Sequence, residues 1–188
     1  MTEENIIIIV EGPDGSGKTT LIERLSSRLD IPVAPRVVAK DTTTKINLQD
    51  WVEDNLEEGF QRKIFDRHRL ISEPIYGPIM RISQQEGFTD REWMHRVMHG
   101  FRFIRPITFF CLPPIEVVRK NVENDPDNEA VAKHIDAIYA SYLAKAMDDY
   151  FLSDVSFILD YTQLDEAGYI ELENLIVDVV SKRMAPHE

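Results

Sequence analysis

Eight residues near the N-terminus, Gly12-Pro13-Asp14-Gly15-Ser16-Gly17-Lys18-Thr19, constrain this chain more than any other feature. They fit G-x-x-x-x-G-K-[ST] and stand between two legible elements. Before them, Asn5 to Val10 is a continuous β-branched run, which predicts a strand buried on both faces. After them a helix is predicted from Lys18, with Leu21, Leu25 and Leu29 on one stripe. In that context the glycines let successive backbone N–H groups turn inward around a pyrophosphate. The helix N-terminus adds partial positive charge at the same point. Lys18, expected to face solvent and ligand, can bridge the β- and γ-phosphates, and the Thr19 hydroxyl can ligate Mg²⁺. The loop implies a bound nucleoside triphosphate with Mg²⁺.

The remaining elements alternate. Strands are predicted at Val33–Val38 (interrupted by Pro35), Lys63–Asp66, Ile107–Cys111 and Val155–Asp160. Helices are predicted at Leu48–Leu56, Thr89–Phe103, from Pro113-Pro114 onward, Val131–Met147 and Ile170–Val180. Thr89 with Glu92 reads as a capping box, and Trp93, Val97 and Phe101 repeat at i+4. Strand–helix alternation implies an α/β fold: a mostly parallel five-stranded sheet with helices on both faces. At 188 residues, without a repeat or a Gly/Ser linker, the expectation is a single domain over 1–188.

Charge narrows the partners. The formal net charge is −12, which opposes gripping long nucleic acid with the whole surface. Gln61 to Pro106 nonetheless carries nine Lys/Arg and five Asp/Glu, a net of +4. Cations gathered in an acidic chain point to an anionic ligand in that segment. The lone Cys111 cannot form an internal disulfide and is expected to be a small buried hydrophobe in a reducing compartment. With no basic leader and no long apolar run, a soluble cytoplasmic protein that does not enter membranes is expected. Arg91, His95 and His99 share a helix face and read as a solvated or anion-facing stripe. Glu123, Asp125, Asp127 and Glu129 lack the glycine and distal glutamate of a Ca²⁺ loop and read as a polar lid.

Several segments resemble one family. Glu11-Gly12-Pro13-Asp14-Gly15-Ser16-Gly17-Lys18-Thr19-Thr20 looks like the opening of thymidylate kinases and their P-loop (deoxy)nucleotide kinase relatives. Asp66-Arg67-His68, followed by Ser72, Tyr76 and Gly77, is similar to that family's DR(Y/H) motif. Pro106 to Glu116 resembles the strand leading into its lid helix, and Ile158-Leu159-Asp160 with Thr162-Gln163 its last strand and adenine-side loop. The resemblance implies a P-loop kinase fold, with Gly12 through Thr20 holding ATP and a short lid at about 121–132. It assigns Asp66 to the Mg²⁺ shell or to orienting the acceptor, and Thr19 to the metal. It makes Arg67 a clamp on an acceptor phosphate, suited by its bidentate fork, and sets Asp14 beside the acceptor sugar. Lys18, Asp66, Arg67 and Asp14 are thus the candidate catalytic residues.

The chain also departs from that pattern. The lid segment is acidic and has no arginine, being flanked by Arg119, Lys120 and Lys133. The interval from Lys18 to Asp66 is short for the family, so a more open acceptor pocket is expected. Two acceptors therefore stay open. A free deoxynucleoside monophosphate is preferred. The alternative is 5-hydroxymethyluracil in DNA, as in phage-type DNA kinases; the setting is then a host cytoplasm, and Trp51, Phe60 and Tyr76 are exposed aromatics for an extruded base. A nucleotide-dependent binding module or switch is the non-enzyme alternative, although no Asn-Lys-x-Asp motif is present. Homodimer formation is left open.

Overall fold

The computed structural model describes residues 6–35, 62–80, 106–152 and 155–184. Among these residues four strands form one parallel sheet: β1 (Ile7–Glu11), β2 (Lys63–Asp66), β3 (Ile107–Cys111) and β4 (Ser156–Leu159), in the order β2-β1-β3-β4. Ile8 lies opposite Ile64 on one side and Ile107 on the other, and Phe109 lies opposite Phe157. Among the described residues six helices accompany them: α1 (Lys18–Leu29), α2 (Arg69–Met80), α3 (Ile115–Glu123), α4 (Glu129–Ala132), α5 (Ile135–Leu152) and α6 (Glu166–Met184).

The period-2 alternation of the central strands sorts the core into two layers. Ile8, Val10, Phe109 and Cys111 face Leu21, Ile22 and Leu25 of α1 and Ile176 and Val180 of α6. Ile7, Ile9 and Phe110 face Ile71 and Ile75 of α2 and Ile138, Tyr142 and Ala146 of α5. A strand covered on both faces must be apolar at every position, which is why β1 reads as an unbroken run. Each fully buried Ile or Phe contributes about 1.5–3 kcal/mol. Val118 and Val122 pack α3 against Ile135 of α5, and so hold the segment after β3 beside the sheet.

The structure revises several sequence expectations. β1 runs to Glu11, one charged residue past the apolar run. The expected fifth strand is represented among the described residues by one parallel bridge, Val33 to Ile64, at the outer side of β2; residues 36–38 lie outside them. α2 was not expected because Pro74 and Pro78 interrupt its pattern. The two prolines are four residues apart and both exposed, so they share the solvent face while Ile71 and Ile75 pack inward. The single helix expected at Val131–Met147 is two, α4 and α5, with a turn at Lys133–His134 between them. α6 starts earlier than expected because Asp165 caps it, accepting the Gly168 N–H at 2.8 Å. The helices expected at Leu48–Leu56 and Thr89–Phe103, and with them Trp51, Phe60, Arg91, His95 and His99, lie outside the described residues. No helix among the described residues is long and apolar enough to cross a membrane.

Candidate active site

The glycine loop joins the end of β1 to the start of α1. Gly12 has φ +141°, and a β-carbon there would fall 2.5 Å from the Cys111 carbonyl oxygen and 2.8 Å from Ser16 Oγ. Gly17 has φ +80° and is the N-cap of α1, with no side chain capping the helix. The N-cap residue thus offers the first-turn N–H groups no side-chain acceptor, the arrangement that suits an anion. Thr19 and Thr20 are exposed in that first turn.

Lys18 does not face solvent, contrary to the sequence expectation. Its side chain folds back over the loop, and Nζ donates to the Pro13 carbonyl at 2.5 Å and to Ser16 Oγ at 3.4 Å. Burial, reinforced by the Arg67 charge, pulls its pKa down to about 7, while Asp14 and Asp66 pull the other way. Asp66, the last residue of β2, lies opposite Val10 and close enough for its charge to reach Lys18.

Arg67 follows directly, with its backbone in the left-handed region at φ +63°. Its N–H donates to the Val10 carbonyl at 2.9 Å. The guanidinium turns onto the loop: Nε donates to the Gly12 carbonyl at 3.1 Å, and Nη2 donates to Asp14 Oδ1 at 2.7 Å and to the Tyr76 hydroxyl at 2.9 Å. Tyr76 in turn donates to Asp14 Oδ2 at 2.8 Å, so one carboxylate is held at both oxygens. Burial would raise the Asp14 pKa, but the Arg67 and Lys18 charges and the tyrosine bond outweigh it and hold it below the usual range. Tyr76 is thus a half-buried member of this cluster, not the exposed aromatic expected. All four candidate catalytic residues, Asp14, Lys18, Asp66 and Arg67, meet at the ends of β1 and β2.

Two residues that sequence reasoning passed over complete the floor. Glu11 is fully buried and accepts the His68 N–H at 2.5 Å and the Tyr142 hydroxyl at 3.1 Å. Burial lifts its pKa to about 7, against the opposing effect of those bonds and of Arg67. A glutamate adjoining an apolar run was the available signal; Tyr142, one aromatic in a helical stripe, offered none.

On the opposite wall, Asn121 of α3 donates through Nδ2 to the Gly15 carbonyl at 2.8 Å and to the Tyr161 hydroxyl at 3.1 Å. Tyr161 belongs to a 3-10 turn, Tyr161–Gln163, capped by Asp160. The expected lid at 121–132 comprises the end of α3, a 3-10 turn at Pro126–Asn128 and α4. Asp125 caps that turn, and two of the three flanking cations are paired: Arg119 with Asp136 at 2.8 Å and Lys133 with Glu129 at 3.0 Å. Cys111 is buried, and burial pushes its thiol up to about 12, so it packs as expected.

No protein-family model and no curated protein sequence matches this chain. Among solved structures it is similar to the YorR protein of Bacillus subtilis in complex with phosphorylated GDP. The TM-score is 0.68 at 20% identity, covering 97% of this chain and 99% of that one. It is also similar to deoxyadenosine kinase from M. mycoides with bound dCTP, at TM-score 0.64 and 15% identity, covering 93% and 100%. The same kinase with products dCMP and a flexible dCDP bound gives 0.56 and 14%, covering 93% and 100%. At such identities the likeness is one of architecture: the chain has the P-loop kinase fold.

Proposed function

We propose that the chain is a Mg·ATP-dependent phosphotransferase that moves the γ-phosphoryl group to a deoxynucleoside monophosphate-like acceptor. The observation that carries this reading is the seam between loop and turn. Arg67, from the turn after β2, bonds both the Gly12 carbonyl and the Asp14 carboxylate of the glycine loop. A phosphate cradle and an Asp-Arg pair therefore share one wall, as transfer between a donor and an acceptor requires. The fold's likeness to a deoxyadenosine kinase supports the phosphotransfer, and not the monophosphate acceptor.

In this reading the α1 N-terminus and loop amides hold the donor phosphates. Lys18 leaves the Pro13 carbonyl to meet them, and Arg67 fixes the acceptor. The donor set suits Mg²⁺ arriving with the nucleotide. Thr19 offers an exposed hydroxyl and Asp66 a nearby carboxylate, both hard oxygen ligands. Among the described residues no cluster of three His, Cys, Asp or Glu forms a resident metal cage. The ion, when bound, offsets phosphate charge. Asp66 is then the group at the strand end that orients the acceptor.

One observation favours a second acceptor. Arg67 is already neutralised by Asp14 at 2.7 Å, and the Asp66 charge acts on Lys18 of the same wall. A doubly charged acceptor phosphate gains little from such a wall, whereas a neutral hydroxyl suffers no repulsion. Phosphorylation of the hydroxymethyl group of 5-hydroxymethyluracil in DNA is the corresponding reading. Of the two products named for the mycoides kinase, dCMP and dCDP, the first is likewise what phosphorylation of a nucleoside hydroxyl gives. ATP consumption measured with each deoxynucleoside monophosphate, each deoxynucleoside and 5-hydroxymethyluracil DNA separates the readings. Turnover with a monophosphate supports the first, and turnover confined to hydroxyl acceptors supports the second. Slow hydrolysis alone would leave only a nucleotide-dependent switch.

A further inference from the structure

Glu11 is a carboxyl group wholly shielded from water at the end of β1, and no step of the phosphotransfer reading uses it. A group so costly to bury is retained where its oxygens are engaged. Here Oε1 accepts the N–H of His68 at 2.5 Å and Oε2 the hydroxyl of Tyr142 at 3.1 Å. The His68 N–H belongs to the peptide that leaves Arg67, and the Arg67 N–H, on the peptide that enters it, is held by the Val10 carbonyl. Both amides flanking the left-handed residue are thus pinned to the last two residues of β1. Left-handed backbone is sterically disfavoured for any residue with a β-carbon and persists where the surroundings over-determine it. Tyr142 reaches in from α5, and its ring meets Tyr76 edge-on at 6.1 Å. Tyr76 is the residue whose hydroxyl closes the Arg67–Asp14 pair. One buried carboxyl therefore stands behind both the backbone turn and, through two tyrosines, the side-chain cluster in front of it.

We propose that Glu11, held by Tyr142, is a positioning residue that fixes the left-handed turn at Arg67 and thereby aims the guanidinium at the acceptor. The acceptor part rests on the phosphotransfer reading above, whereas the turn can be followed without any activity. Glu11→Gln keeps an oxygen for the His68 N–H and turns an amide toward the Tyr142 oxygen; Glu11→Ala removes both contacts, and Glu11→Asp draws the carboxyl back.

The first arm is NMR on the full chain. The His68 amide is expected to be shifted downfield and protected in the parent and in Glu11→Gln. In Glu11→Ala its protection should fall about ten- to a hundredfold, the worth of one buried donor left without its acceptor, and the Arg67 Nε–H signal should move with it. The second arm is kinetics with ATP as donor and, separately, dTMP and 5-hydroxymethyluracil DNA as varied acceptors. Glu11→Ala should raise the acceptor KM about tenfold or more while the ATP KM changes less than twofold, and Glu11→Gln should restore it. Should Glu11→Ala fail to fold, Glu11→Asp is expected to show the same split. Unchanged His68 and Arg67 signals in the alanine variant, or equal weakening of donor and acceptor, would overturn the proposal. If neither acceptor is turned over, the phosphotransfer reading fails for these substrates and the NMR arm alone decides whether Glu11 sets the turn.

Discussion

Lys18 stores its ammonium against the Pro13 carbonyl, in a buried place that lowers its basicity. Its hydrogen bonds go to a loop carbonyl and a loop hydroxyl and not to a carboxylate, so Lys18→Ala should keep a cooperative thermal transition while losing phosphoryl transfer. The barrier should rise by about 2.7 kcal/mol or more, roughly a hundredfold in rate, by analogy with deleting one preorganised donor. A coupled assay beside a circular-dichroism melt checks both halves. Arg67→Lys keeps the charge but not the fork that reaches Gly12 O and Asp14 together. Acceptor KM should rise at least tenfold with little change in ATP KM; equal weakening of both would move Arg67 to the donor side. Glu11 gives a pH signature. Its ordinary pKa of 4.5 rises to about 7 in the folded chain, so the fold holds a proton that the unfolded chain has lost between those values. That contribution to stability is complete below about pH 4.5 and is lost as pH rises through about 7. The shift corresponds to roughly 3 kcal/mol at most. Denaturant melts from pH 4.5 to 8 should show the parent losing stability relative to Glu11→Gln, which mimics the protonated acid; parallel profiles would contradict the assignment.

At the scale of elements, α1 begins at a residue with two constraints. Gly17 takes φ +80°, and a β-carbon there would meet the Tyr161 ring at 2.7 Å. Gly17→Ala should cost about 1–2 kcal/mol for the backbone alone, plus the displacement of the ring. Adding Tyr161→Ala should recover the second part and not the first, a split readable in melting temperatures of the single and double variants. The same elements show what the sequence could and could not tell. β1, α1 and β3 were legible because burial on both sheet faces, or on one helical stripe, leaves an unmistakable pattern in Ile8, Ile9, Leu21 and Leu25. α2 was not, because Pro74 and Pro78 break local propensity and only packing of Ile71 and Ile75 on the sheet overrides them. The loop residues and Asp66-Arg67 were legible as chemistry. That Arg67 turns onto Asp14, and that Glu11 and Tyr142 lie beneath, depends on contacts up to 131 residues apart in the chain, which no local pattern encodes.

The whole molecule carries −12, with nine of its 21 Lys and Arg between Gln61 and Pro106. That imbalance bears on the acceptor. A polymer acceptor must engage several phosphates, and its KM should then climb steeply with ionic strength, as a power of the number engaged. A monophosphate should show a shallow slope, because one or two cations suffice and screening acts over about 8 Å at physiological salt. Acceptor KM measured from low to physiological salt reads this directly. The central claim, that the glycine loop and the Asp66-Arg67 turn together transfer a phosphoryl group, is tested most directly by following the γ-phosphate itself. With γ-labelled ATP, label should appear in an added deoxynucleotide or hydroxymethylated DNA over many turnovers, and should fail to do so with Lys18→Ala. Label released only as inorganic phosphate, at a rate that no acceptor changes, would contradict it.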